Sequence, residues 1–475
     1  MLGYILKFEE PDAQKIELTG GKGSSLAYLS SIGEINVPQG FCVGTSAYDL
    51  FLHNNKLDEK IKEFSEIIKG LSKKQRDKKT KDIRKDFIKS FVPRGVEENV
   101  KEAYRDICRK FGHKVAVAVR SSATTEDLEN ESFAGLHDTY LNIRGEDNVV
   151  EAVKRCLASF YTDRAVEYRR VNKFGQYGKQ LKMGVVVQRM INPVVAGVAF
   201  SVDNSTAYDG VVIEVNYGLG ESIVSGEVTP DRFVVHKQTL DIIKAQKGSK
   251  NKKVVYSKNS GTEIIEVPAE DRGKFCLDFG IVKKIANSVN KIQEAYSKRT
   301  RFVDTEFAID EKGLFFLQAR PATLDLRVIT IEQEALKNST KIYEGGTRAT
   351  RMAGHGIIKI VPSFCDLKNG KIKVSFEDIV VTNHTWNEWT EYLRGIKGLV
   401  TEQGGTLSHA AIISKEWGIP GIAGCEGVVD TSRKYEGEKA TIDANRRSLY
   451  LDYLPLVKKE INLDEESIEV KLENE

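Results

Sequence analysis

The amino-acid sequence predicts a chain of mixed α/β and α+β class with two or three domains, and three observations lead there. At 475 residues it exceeds what one hydrophobic core usually organises. Runs of consecutive apolar residues, clearest in Gly184–Met190 (GVVVQRM), read as buried strands, and Lys/Glu-rich stretches with apolar residues at helical spacing read as amphipathic helices. Near the C-terminus a glycine-rich turn, Gly404-Gly405, leads into Ala410–Trp417, which reads as a helix that Gly418 ends and Pro420 follows.

Composition narrows the class. Hydrophobic content of 40% and charged content of 29% describe an ordinary globular protein. The 71 basic and 68 acidic residues leave a net charge of +3, which exerts no global pull toward nucleic acid or a membrane surface. Six cysteines (Cys42, Cys108, Cys156, Cys276, Cys365, Cys425) show no CxxC spacing. They read as reduced thiols, neither a disulfide framework nor a zinc site. The N-terminus reaches charge within seven residues, and no apolar run approaches the roughly 18 needed to span a bilayer. A cytoplasmic protein is expected.

Taken in order, the first informative segment is Leu18–Ala27 (LTGGKGSSLA), where glycines, Lys22 and hydroxyls run into an apolar helix. Such a loop can bring backbone N–H groups and an ammonium close to phosphates, although the Walker A spacing is absent and a plain helix-start loop reads equally well. Val37–Phe41 reads as a turn into a short strand. Residues 56–112 are helical in pattern (Ile61, Phe64, Ile67, Ile68, Leu71). Their basic run, Lys73–Lys89, has acids mixed in and reads as a solvated helical face rather than a nucleic-acid surface. Val115–Asp127 (VAVAVRSSATTED) is a strand that delivers Arg120 to a hydroxyl-rich loop, the way an oxyanion clamp is built. A pairing of Arg120 with Glu126 or Asp127 is the alternative. Strands are expected at 184–190, 196–201 and 211–215, a hairpin within 240–265, and one helix over 278–297. Phe302–Asp310 and Leu314–Pro321 read as a hairpin that lets Glu306 and Gln318 meet, with Arg320 on the same face. One carboxylate, one amide oxygen and nucleotide phosphates make a hard-oxygen magnesium site; a polar surface stripe is the bland reading.

Residues 322–345 read as a linker with a short helix near 331–337. Beyond it, strands are expected at 371–376, 378–382 and 439–443, and the tryptophans of Thr385–Trp389 (TWNEW) are expected in the core. His409 stands at the glycine turn beside a helix N-terminus, whose free N–H groups favour a phosphate. Imidazole is nucleophilic near neutral pH, so His409 is a candidate phosphoryl carrier, or else a turn histidine that caps the helix.

The stretch 398–422 (GLVTEQGGTLSHAAIISKEWGIPGI) resembles the phosphohistidine swivelling domain of the phosphoenolpyruvate-utilising enzymes. Departures are Lys415, where that family more often has Arg, and Leu407, where several members have Thr. The segments GGKGSSLAYL, VAVRSSATTEDLENESFAGLHDTYLNIRG, GLGESIVSGEVTPD and LQARP resemble the ATP-binding domain of pyruvate phosphate dikinase, phosphoenolpyruvate synthase and the rifampin phosphotransferases. The resemblance implies an ATP-grasp-like domain over 1–325, a linker at 326–345, a small α/β phosphohistidine domain at 346–455 and an acidic tail at 456–475. It implies that Lys22, Arg120, Gly135 and Thr139 contact phosphates, that Gln188 edges the adenine pocket, and that Arg320 lies beside the transferred group. Glu306 and Gln318 are the implied magnesium ligands, His409 the catalytic residue, and Gly404, Gly405, Thr406 and Ser408 its supporting loop. The implied activity is that of an ATP-dependent dikinase releasing AMP. No acceptor domain is recognisable, so the acceptor is expected to be a small molecule or to sit on a separate subunit; an antibiotic-type phosphotransferase or the charged carrier of a split complex is the alternative. Neither nucleic acid nor membrane is an expected partner.

Overall fold

The computed structural model describes residues 3–125, 138–171, 181–203, 208–224, 228–257, 261–322, 327–405 and 408–460. The chain forms two compact units, one of residues 1–193, 255–263 and 305–321 and one of residues 194–254, 264–304 and 322–475. Among the described residues no helix is long and apolar enough to cross a membrane.

The first unit holds a five-stranded sheet in the order Ile5–Lys7, Gly40–Val43, Met183–Arg189, Val117–Ala123, Thr139–Ile143. Met183–Arg189 is antiparallel to both neighbours and buried along almost its whole length, which is why its sequence is a continuous apolar run rather than an alternation. Helices Thr45–Asn54, Leu57–Ile67, Lys73–Lys89, Arg94–Phe111 and Glu146–Ser159 supply the rest of the core, including Phe51, Phe87, Tyr104 and Val153. Lys73–Lys89 buries Thr80, Ile83 and Phe87 and leaves its lysines in solvent, as the mixed charges predict. The glycine-rich segment is a kinked helix, Ile16–Ser30, broken at Gly20 with φ +74°. A Cβ at Gly20 would lie 1.9 Å from the Ser122 carbonyl oxygen, so only glycine lets the helix approach this strand.

In the second unit, four antiparallel strands follow in sequence: Val195–Phe200, Gly210–Tyr217, Asp231–His236 and Ile242–Gln246. Helix Phe279–Tyr296, N-capped by Asp278, buries Val282, Ile285, Ala286, Val289, Ile292 and Tyr296 at helical spacing. An eight-stranded sheet completes the unit, in the order Lys341–Glu344, Ser448–Leu451, Lys439–Asp443, Ala353–Ile360, Asp378–Thr382, Gly398–Thr401, Gly421–Ala423, Thr347–Arg348. Its central pairs are parallel, and helix His409–Trp417 is the crossover between Gly398–Thr401 and Gly421–Ala423. Parallel strands need such a crossover, and it places the glycine turn at the end of a buried strand.

Three sequence expectations change. Residues 371–376 form no strand. The 240–265 segment splits: Ile242–Gln246 pairs with the preceding strand, and Lys252–Tyr256 with Thr262–Glu266 makes the hairpin. The expected linker is structured at both ends, because Arg327–Ile331 pairs with Leu456–Glu460 and Lys341–Glu344 pairs with Ser448–Leu451. Between them lies a 3-10 helix, Gln333–Asn338, close to the expected helix. The partners come from more than a hundred residues away, so no local pattern announces them. Pairing to Arg327–Ile331 also makes the first five residues of the expected tail a strand.

Candidate active site

His409 is the first residue of its helix, and Ser408 is the N-cap, its hydroxyl accepting from the Ala411 N–H at 3.4 Å. Gly404 adopts φ +113°, and a Cβ there would lie 2.6 Å from that of Ser408; the turn is open to glycine alone. The loop is tied sideways, since Gln403 N–H donates to the Asn383 carbonyl at 2.9 Å. That bond brings the 383–390 segment against the helix start. Its two threonines then bracket the imidazole: Nδ1 hydrogen-bonds Thr385 Oγ1 at 3.0 Å and Nε2 hydrogen-bonds Thr390 Oγ1 at 2.9 Å. Thr385 is buried, whereas Thr390 is only partly so, which leaves Nε2 on the more accessible side. Trp389 is fully buried and meets Trp386 edge to face at 5.8 Å, anchoring this segment in the core as expected. His409 itself is 7% exposed, and burial pushes its pKa down to about 4. At neutral pH the ring is therefore uncharged and keeps one nitrogen lone pair.

The candidate phosphate clamp lies in the first unit. Arg120, on strand Val117–Ala123, donates from its guanidinium to Gln318 Oε1 at 2.7 Å and stands 3.6 Å from Glu306 Oε2. The hairpin does bring Glu306 and Gln318 to one place, and that place is the guanidinium. Ser122 knits the glycine segment to the Arg120 strand, its hydroxyl donating to Thr19 O at 2.7 Å and accepting from Gly23 N–H at 2.9 Å. The Ser25 hydroxyl donates to the Ala319 carbonyl between Gln318 and Arg320. Lys22, on that segment, and Arg320, two residues past Gln318, are both half-buried. Thr139 is exposed and directly opposite Arg120 in the strand register. Gln188 is buried in the central strand, its amide 3.5 Å from the Pro38 carbonyl. Gly135 and Thr406 lie outside the described residues.

Among the described residues no three His, Cys, Asp or Glu side chains group to hold a metal by themselves. Glu306 and Gln318 carry hard oxygens of the kind magnesium takes; Glu306 is about a third exposed, whereas Gln318 is buried and its Oε1 is held by Arg120, so a metal there would share that oxygen with the guanidinium or displace it. Sequence reasoning missed Thr385 and Thr390, 24 and 19 residues before His409. The TWNEWT stretch was legible only as two core tryptophans, because nothing in its spacing aims a hydroxyl at a histidine.

Residues 16–340 match the family described as pyruvate phosphate dikinase, AMP/ATP-binding domain, and residues 374–447 match PEP-utilising enzyme, mobile domain. The chain is similar to a probable phosphoenolpyruvate synthase of Methanothermobacter thermautotrophicus, 34% identical over 95% of this chain and 64% of that protein. It is also similar to the phosphoenolpyruvate synthase of Aquifex aeolicus, 34% identical over 99% of this chain and 56% of that protein. A probable phosphoenolpyruvate synthase of Archaeoglobus fulgidus is 35% identical over 94% and 58%. The chain thus spans somewhat over half the length of these relatives.

Proposed function

The chain belongs to the pyruvate phosphate dikinase family of phosphoenolpyruvate-utilising proteins, with an ATP-grasp-like nucleotide-binding region, and we propose that it is an ATP-dependent dikinase-type phosphotransferase with His409 as its phosphoryl carrier. The observation that carries this reading is the uncharged His409 ring, bracketed by two hydroxyls at a glycine turn. Its unprotonated nitrogen attacks the β-phosphorus of ATP. The N–P bond forms as the bond to the α–β bridging oxygen breaks, AMP leaves, and the γ-phosphoryl group is later released to water or phosphate. Phosphoryl transfer is mostly positioning and electrostatics. Lys22, Arg120 and Arg320 neutralise the polyphosphate, with Thr139 and Gly135 as further contacts and Gln188 at the base. Glu306 and Gln318 would hold magnesium, which supplies charge neutralisation when bound.

The proposed division is a nucleotide domain over 1–325 and a carrier domain over 346–455, with the bridge 326–345 held by the pairing of Arg327–Ile331 with Leu456–Glu460. The carrier hands its phosphoryl group to an acceptor, either a small molecule or a group on a partner subunit. The phosphoenolpyruvate synthase names of the relatives favour a small carboxylic acid. Incubation with ATP labelled at the β position tests the reading. Label should remain on the protein, be lost on acid treatment, and appear with AMP in step. Protein without acid-labile label and without AMP overturns it.

A further inference from the structure

A carboxylate that the proposed chemistry does not use stands against the carrier loop. Glu214 lies mid-strand in Gly210–Tyr217 and is 1% exposed. Arg232 is its register partner on the next strand, with Nε 3.7 Å from Glu214 Oε1 and a terminal nitrogen 2.9 Å from Asp203 Oδ2. On its other side is Gly405. A Cβ built there would lie 2.8 Å from Glu214 Oε2 and 3.3 Å from the carboxyl carbon. Gly405, unlike Gly404, is not at positive φ, so the backbone conformation does not demand glycine there. Space favours it: the Glu214 carboxylate would have to shift to admit a Cβ, and at 1% exposure it has little room to do so. Ser408 N–H donates to the Gly405 carbonyl at 3.2 Å, so the carboxylate touches the loop within one turn of His409.

Other charges gather around this contact. Glu214 is on strand Gly210–Tyr217 and Asp203 lies just past Val195–Phe200; Arg348 is on strand Thr347–Arg348, Arg351 lies just past it, and Arg447 is in the turn before Ser448–Leu451. Arg348 is attracted by Asp203 and crowded by Arg351 and Arg447. Asp203 and Glu214 share Arg232, and Asp203 also attracts Arg348, so Gly405 lies against one acid of a mixed cluster.

We propose that Glu214 is a charge-sensitive docking contact for the carrier loop. It admits the loop while His409 is bare and weakens its hold once the histidine carries a phosphoryl group. That group brings roughly two negative charges close to a desolvated carboxylate, where like charges are poorly screened. The inference rests on the reading of His409 as carrier.

The test has two arms, read by hydrogen exchange of segments 210–217 and 403–408. In the unmodified protein, Gly405→Ala should raise exchange in the loop about tenfold, and adding Glu214→Ala should restore it, because the clash is removed. An unchanged Gly405→Ala protein, or an effect that persists in the double variant, overturns the docking contact. In the second arm, charging with ATP should raise exchange in both segments of the wild type and do so much less in Glu214→Gln, which keeps the shape and loses the charge. Equal rises in the two proteins overturn charge sensing. β-Label is counted on every sample: a wild type that takes none defeats the carrier reading and the release with it, while the first arm still judges the contact. Should Glu214→Ala fail to fold, Glu214→Asp combined with Gly405→Ala replaces it in the first arm. Failure of that pair to restore exchange is again fatal to the docking contact. Should Glu214→Gln fail to fold, Glu214→Ala replaces it in the second arm, where a rise equal to that of the wild type again overturns charge sensing.

Discussion

Arg120 and His409 each sit between two polar partners, yet the partners do opposite work. Arg120 donates to an amide oxygen and stands 3.6 Å from a carboxylate, so its neighbours are an acceptor and an anion. His409 meets two neutral hydroxyls in a setting that depresses its pKa, so its surroundings disfavour charge. A clamp must offer charge for a polyphosphate to take over, and a nucleophile must offer a lone pair. In the proposed reading, polar partners of different kinds, set on different elements, separate these two tasks within one chain.

The first way to break the comparison is to remove the nucleophile alone. His409→Ala should lower β-labelling and AMP formation more than about a thousandfold while nucleotide affinity changes less than about twofold, measured by filter retention and equilibrium titration. Appreciable label on the variant would transfer the carrier role to another residue. Changing the clamp comes next. Glu306→Gln should reduce turnover at limiting magnesium by about 10- to 100-fold, with melting temperature nearly unchanged because the side chain is about a third exposed. Unaltered turnover would remove Glu306 from the metal site.

A subtler change sharpens the contrast between charged and neutral partners. Thr385→Val leaves Nδ1 buried against a methyl group, which should cost about 1–3 kcal/mol of stability and slow labelling about tenfold. Thr385→Ser should recover both, as read by denaturant midpoints and label rates; a Val variant as fast as wild type would leave Thr385 with a packing role only.

The smallest effect is in pH. The unfolded chain binds a proton on His409 near 6.5 and the folded chain only near 4. Between those values the unfolded state holds more protons, so the folded state loses stability as pH falls from about 6.5 toward 4 and gains nothing above it. From pH 6.5 to 5.5 the loss should be about 1 kcal/mol, and it should vanish in His409→Gln. Labelling at pH 5.5 should stay within about threefold of its rate at pH 7.5, because the folded ring remains unprotonated.

Local chemistry makes much of this molecule readable from its residues alone. The helix ending at Gly418, which takes φ +63° as C-cap, the hairpin carrying Glu306 and Gln318, and the buried stripe of Phe279–Tyr296 all follow from patterns only a few residues long. Sequence likewise singled out His409 and Arg120 as residue types suited to their surroundings. Tertiary structure decided the rest, and the reason is distance along the chain. Arg327–Ile331 becomes a strand because Leu456–Glu460 reaches it, and a segment expected as a linker is paired at both ends. Thr385 and Thr390 reach the imidazole because Gln403 hydrogen-bonds Asn383. Glu214 meets Gly405 across almost two hundred residues, a contact that no periodicity encodes. Propensity and turn chemistry act between neighbours; which hydroxyl sets a ring nitrogen, and which carboxylate needs a glycine beside it, is settled only when distant strands pack.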